Sequence, residues 1–333
     1  MMNYKIDYKN LVISILLILA AGYIYDKFKI NVENSDKKNE LNIIKKYLLN
    51  EQEYNTIDNL SSIKKPILWV HVEYKQNSRK WSSFGSRNST ELNQDYLYLT
   101  IRSIINKCND YFHIVLIDDD SFEKLLPDWN VEINKISDPH KSYVRTLALC
   151  KVLYNYGGLL IENSFILFKS LKPIYDKILE TNKMCVAEFS NNSSNSHIMN
   201  FMPSTKFIGC VKNCQKMHEF GKHLEILVNQ DFTNETIITD LINKWLYSST
   251  QNEEINYIDG TFIGTKDSDN KMIGLDRLLG SSYLDLNINS YGLYIPREEL
   301  LKRHTYNWFV HLNVQNILES NTNIAKYLLL SNN

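Results

Sequence analysis

Three aspartates in a row, Asp118-Asp119-Asp120, directly follow the apolar run Phe112-His113-Ile114-Val115-Leu116-Ile117. Carboxylates spaced this way can hold a hard divalent cation or accept hydrogen bonds from a nucleotide ribose. They also have a structural use: a carboxylate just before a helix accepts from its first free N–H groups and meets the positive end of its dipole. Arg79, Lys80, Arg87 and Arg102 form a basic group. Guanidinium matches phosphate oxygens bidentately, so these cations suit a diphosphate, with a solvated loop as the plainer alternative. Trp81 and Phe84 offer flat faces for a base or sugar, or ordinary packing. Cys210, Cys214 and His218 recur every four residues, with His223 nearby. On a helix that spacing could gather zinc ligands, although core thiols are the commoner use. His304 and His311 flank Tyr306-Asn307-Trp308-Phe309, and Asp276-Arg277 suits a structural ion pair.

The elements around these residues read as an α/β domain. Apolar β-branched runs predict strands over residues 67–72, 112–117, 159–161 and 165–168, and helical spacing predicts helices over 96–108, 121–126 and 143–156. Gly157-Gly158 stops the last of these helices. Strands alternating with helices imply a mostly parallel sheet covered on both faces. Ligands in such sheets sit beyond the carboxyl ends of the strands, which singles out Asp118–Asp120 and Glu162–Ser164. The second half is less regular: strands are expected over 184–189, 258–264 and 291–295, and helices over 211–228, 236–247 and 314–330.

The 333 residues carry 37 basic and 38 acidic side chains, for a net charge of −1. That balance lacks the cationic excess nucleic-acid binding needs, and the length suffices for a large buried core. Five cysteines, an odd number without scaffold spacing, do not describe a disulfide framework. Residues 11–25 are uncharged and apolar, short for a bilayer but flanked by tyrosines that extend the usable length. A single-pass N-terminal membrane anchor is the expectation, with a cleaved signal peptide or a buried helix as alternatives. Residues 26–64, rich in Lys, Glu, Asp and Asn, read as a polar stalk, leaving 65–333 as the globular domain.

The stretch Leu153-Tyr154-Asn155-Tyr156-Gly157-Gly158-Leu159-Leu160-Ile161-Glu162-Asn163-Ser164 resembles a signature of glycosyltransferases of the GT-A fold, in the pattern of the DXD sugar-binding and capsular-polysaccharide-synthesis families. In those families a helix runs into Tyr-Gly-Gly and a short strand ends in Asp-x-Asp. The resemblance covers about residues 66–175 and implies a nucleotide-diphospho-sugar transferase fold. Asn77-Ser78-Arg79-Lys80-Trp81 and Phe84-Gly85-Ser86-Arg87-Asn88 are similar to sequences in membrane-associated proteins of large DNA viruses.

The resemblance implies a Mn²⁺ or Mg²⁺ ion held by paired carboxylates and bridging the diphosphate of a nucleotide sugar. Those two positions are Glu162 and Ser164 here, so one carboxylate is lengthened and the other has become a hydroxyl. Glu162 and Ser164 are the implied metal ligands, and Glu162 and Asp120 the implied catalytic carboxylates. Asp118, Arg145, Arg79, Gly157, Gly158, Trp81 and His311 are the implied substrate contacts. The family's helical Asp-x-x-Arg falls on Thr146 and Leu149, with Arg145 beside the first. Two functions follow. One is a membrane-anchored glycosyltransferase passing a hexose from a nucleotide sugar to a glycan or protein. The other is a catalytically inactive member of that fold, serving as a membrane-tethered structural or interaction protein, in a virion for example. An unrelated soluble α/β hydrolase is not expected, since the sequence has no Gly-x-Ser-x-Gly nucleophile elbow and no P-loop.

Overall fold

The computed structural model describes residue 23 and residues 44–49, 64–72, 94–191, 199–230 and 235–332. The chain divides into two units, residues 1–43 and 44–333, and the second is described below. The expected anchor, apart from Tyr23, lies outside the described residues, as does the loop carrying Arg79, Lys80, Trp81, Phe84 and Arg87. Among the described residues no helix is long and apolar enough to cross a membrane.

Strands β1 (Ile67–His71), β2 (His113–Ile117), β3 (Gly158–Glu162), β5 (Cys185–Ser190), β6 (Phe201–Cys210) and β7 (Asn256–Ile258) form one sheet in the order β2-β1-β3-β6-β5-β7. Within it β6 alone runs against the other described strands. The result is a mixed α/β fold with a mostly parallel central sheet. Strand β4 (Phe165–Leu167), expected as a further strand of that sheet, pairs instead with β8 (Gly292–Tyr294) in a two-stranded sheet. The tight Asn163-Ser164 turn redirects the chain, and Ile295 N donates to Ser164 O across 3.1 Å.

The helices are α1 (Tyr96–Cys108), α2 (Ser121–Leu125), α3 (His140–Tyr156), α4 (Lys172–Thr181), α5 (Gln215–Val228) and α6 (Glu235–Gln251), followed by α7 (Leu275–Leu279), α8 (Arg297–Lys302), α9 (Asn307–Val310), α10 (Val314–Glu319) and α11 (Asn323–Asn332). The terminal helix expected over 314–330 is thus split in two. Strand alternation explains the layers. Ile67 and Trp69 of β1 join Val115, Ile117 and Leu160 in a core with Leu147 of α3, Phe220 and Leu224 of α5 and Leu246 of α6. Leu68 and Val70 point to the opposite face and are equally inaccessible. A strand buried on both faces needs this unbroken apolar run.

The glycine pair fixes how α3 feeds β3. Gly157 and Gly158 adopt φ of +70° and +107°, a region that L side chains rarely enter. A Cβ on Gly157 would come within 2.6 Å of Lys212 N, and one on Gly158 would strike the Ile67 carbonyl oxygen. The Trp69 indole N–H donates to Gly157 O across 2.9 Å, fastening the turn to β1.

Ile44, Leu48 and Leu49, within the expected stalk, are buried, and Leu116 N donates to Tyr47 O at 2.8 Å. Strand β6 lies where the sequence pattern announces no strand. Pro203, Ser204, Thr205 and Lys206 interrupt its apolar alternation, and the β5 pairing shifts register at Val186/Ala187.

Candidate functional site

The carboxyl ends of β1, β2 and β3 lie side by side, with His71 opposite both Ile117 and Glu162. The three aspartates that follow β2 go to three different partners. Asp118 Oδ1 accepts from the Ser121 backbone N–H at 2.8 Å and from its hydroxyl at 2.5 Å, so Asp118, not Asp120 or Ser121, supplies the cap of α2. Asp120 accepts from Asn134 Nδ2 at 2.9 Å on the surface. Asp119 is gripped by Arg145, Nε to Oδ1 and Nη2 to Oδ2, each at 2.7 Å.

His71 Nε2 lies 3.0 Å from Asp119 Oδ1, its ring stacked on Phe122 at 6.1 Å, and Lys141 approaches at 3.6 Å. Burial opposes ionisation of Asp119, but the Arg145 and His71 contacts outweigh it and hold the carboxyl below its ordinary range. Arg145, expected to meet phosphate, therefore spends its fork on a carboxylate.

Glu162, at the end of β3, stands in a separate cluster. Tyr294 of β8 donates its hydroxyl to Glu162 Oε2 at 3.1 Å, and the fully buried Ser164 hydroxyl lies 3.5 Å from the same oxygen. Lys206 of β6 brings its ammonium to 3.9 Å from Glu162 Oε1 and donates to Tyr294 Oη at 3.1 Å. Burial alone would lower the Lys206 pKa, but Tyr294, Glu162 and Glu298 reverse the effect and keep the amine charged. Glu162 also acts electrostatically on Tyr96, whose phenol burial pushes far up. The Tyr96 hydroxyl is buried without a hydrogen-bond partner among the described residues.

The remaining expected residues are scattered. Gly157 and Gly158 shape the backbone and are buried. His311 is exposed after α9, and among the described residues no hydrogen bond or ion pair ties its ring to the strand ends. His304 is likewise exposed, 3.4 Å from Asn307 Nδ2. His218 packs on Tyr154 and His223 on Trp245, with ring centroids 5.0 and 6.0 Å apart. Cys210 and Cys214 are free thiols, and a hydrogen bond from Cys210, with backbone N–H groups that include those of Lys216 and Met217 in α5, outweighs burial and brings the Cys214 thiol down to about 6. Among the described residues no three His, Cys, Asp or Glu side chains gather as a metal group. Arg277 pairs with Asp267 at 2.7 Å rather than with its neighbour Asp276, which takes the Tyr306 hydroxyl.

Sequence reasoning did not reach His71, Lys206, Tyr294, or the buried pair Lys266–Glu188 at 2.5 Å. The available signal was a charge inside a strand: Glu188 interrupts the apolar run 184–189, and Lys206 precedes Phe207-Ile208. Such charges are costly unless paired, so each implies a partner elsewhere in the chain.

No protein-family model matches the sequence, and no curated protein matches it. Solved structures do. A galactosyltransferase, LgtC in complex with donor and acceptor sugar analogues, is similar at 11% identity over 59% of this chain and 74% of its own, with a TM-score of 0.32. The PaToxG glycosyltransferase is similar at 13% identity over 66% of this chain and 80% of its own, also with a TM-score of 0.32. Likenesses this distant say nothing of activity, which has to come from the residues.

Proposed function

We propose that the chain is a membrane-anchored, glycosyltransferase-like protein that binds a nucleotide sugar at the carboxyl ends of β1 and β3 and passes its hexose to a glycan or protein. The observation that carries this reading is the Gly157-Gly158 turn, which delivers Glu162 to a strand end where Lys206, Tyr294 and Ser164 meet it. In transfer, the acceptor hydroxyl oxygen bonds to the anomeric carbon while that carbon's bond to the terminal phosphate oxygen breaks. The electron pair leaves with the nucleoside diphosphate, and the hydroxyl proton passes to the Glu162 carboxylate. Residues 11–25 would hold the domain at a membrane.

One observation favours the second reading, a tethered structural or interaction protein without catalysis. Asp119 and Arg145, charged groups suited to a donor site, neutralise each other. Calorimetric titration of the full chain with common nucleoside diphosphates and nucleotide sugars, with and without Mn²⁺, separates the two. Micromolar binding supports the donor site. Absence of heat with every ligand, from a folded protein, leaves the tethered role.

A further inference from the structure

The metal implied by the resemblance does not fit the residues present. A hard divalent ion needs several oxygen ligands, with carboxylates to neutralise its charge. Glu162 is the carboxylate in contact with this cluster, and Glu298 acts on it through charge; Ser164 is a neutral hydroxyl, and Asp118, Asp119 and Asp120 are engaged by Ser121, Arg145 and Asn134 respectively. A cation already stands beside Glu162, the Lys206 ammonium at 3.9 Å. An added divalent ion on Glu162 would lie close to that charge and be repelled by it.

We infer that the Lys206 ammonium takes the place of the metal, so that this site receives the diphosphate of a nucleotide sugar without a divalent ion. The inference rests on the glycosyltransferase-like reading and deepens it. Lys206 lies on β6, whose pairing with β3 sets Phe207 opposite Ile161 and so brings its neighbour alongside Glu162. The Tyr294 hydroxyl accepts from the ammonium at 3.1 Å and donates to Glu162, so it bridges the two. The Lys206 side chain is 24% exposed. Lysine offers a compact, rotatable set of three donors, which suits a flexible diphosphate and the charge it gains on leaving.

The test uses the full chain, with uridine diphosphate and the other common nucleoside diphosphates as probes, titrated with EDTA or with Mn²⁺. The expected result is binding unaffected by EDTA, weakened roughly tenfold or more by Lys206→Met and largely restored by Lys206→Arg. Binding that requires Mn²⁺, or that Lys206→Met leaves unchanged, overturns the inference while the donor-site reading stands. No binding of any diphosphate in either condition overturns that reading itself. Mn²⁺ alone, followed by electron paramagnetic resonance, checks the metal separately. No uptake at Glu162 is expected, and an ion that binds wild type but not Glu162→Gln would sink the proposal without any nucleotide. Circular dichroism of each variant confirms that a lost signal is not a lost fold.

Discussion

Arg145 holds Asp119 in a two-bond fork at 2.7 Å per bond, and the two side chains are only 11% and 13% exposed. The contact ties the middle of α3 to the end of β2, and His71 adds the end of β1. A charge pair so withdrawn from water is costly to form and more costly to break on one side, because the survivor remains buried without its partner.

Arg145→Met is expected to destabilise the domain by about 3 kcal/mol, since the Asp119 carboxylate keeps only His71 and Lys141. Urea unfolding of the variant beside wild type measures this. A loss within error of zero would mean that solvent screens the pair.

The same pair sets a pH dependence. The folded pKa of Asp119 lies below its ordinary 3.8, so its stabilisation is complete above that value and drains away as pH falls toward the folded one. Unfolding midpoints of wild type should therefore drop from about pH 4 downward. Asp119→Asn should flatten that limb while lowering stability at neutral pH.

Two glycines should respond in opposite directions. Gly158→Ala puts a methyl against the Ile67 carbonyl at φ +107° and should cost about 3 kcal/mol or prevent folding. Gly221→Ala, inside α5 with open space around the new methyl, should gain about 0.8 kcal/mol. Thermal unfolding of both variants tests the contrast.

Cys214 should be the thiol that alkylates at the lowest pH. Its hydrogen bond from Cys210 outweighs burial, and with N–H groups from the first turn of α5 brings the pKa down to about 6. Cys185 is pushed up to about 12 by burial. Iodoacetamide labelling read by mass spectrometry should rise through pH 6 at Cys214 and vanish in Cys214→Ser. Equal labelling of all five thiols would contradict the assignment.

Glu162→Gln should leave the fold intact and lower hexose transfer by about 100-fold or more, because an amide cannot take the acceptor proton. Product formation from a labelled nucleotide sugar reads this. Unimpaired transfer would move the catalytic carboxylate elsewhere.

Local pattern was enough for the first half of the molecule. Helix α1 runs over the very residues its apolar spacing predicts, and β1, β2 and β3 match their β-branched runs to within a residue at each end. Gly157 and Gly158 end α3 as the sequence implies, because only glycine enters that backbone region cheaply. Strand β6 was not legible: Pro203 through Lys206 break the alternation, and the strand is held by pairing with β3 and β5 rather than by its own composition.

The candidate site divides the same way. By itself the sequence determined that acidic groups would stand at the ends of β2 and β3, since strand–turn–helix patterning is written in neighbouring residues. Which of those groups would be engaged, and by what, only the tertiary structure decided. Asp119 meets Arg145 from 26 residues away, and Glu162 meets Tyr294 from 132 residues away and Lys206 across the β3–β6 pairing. Partnerships across such separations depend on chain crossings and strand register, which hydrophobic periodicity does not encode.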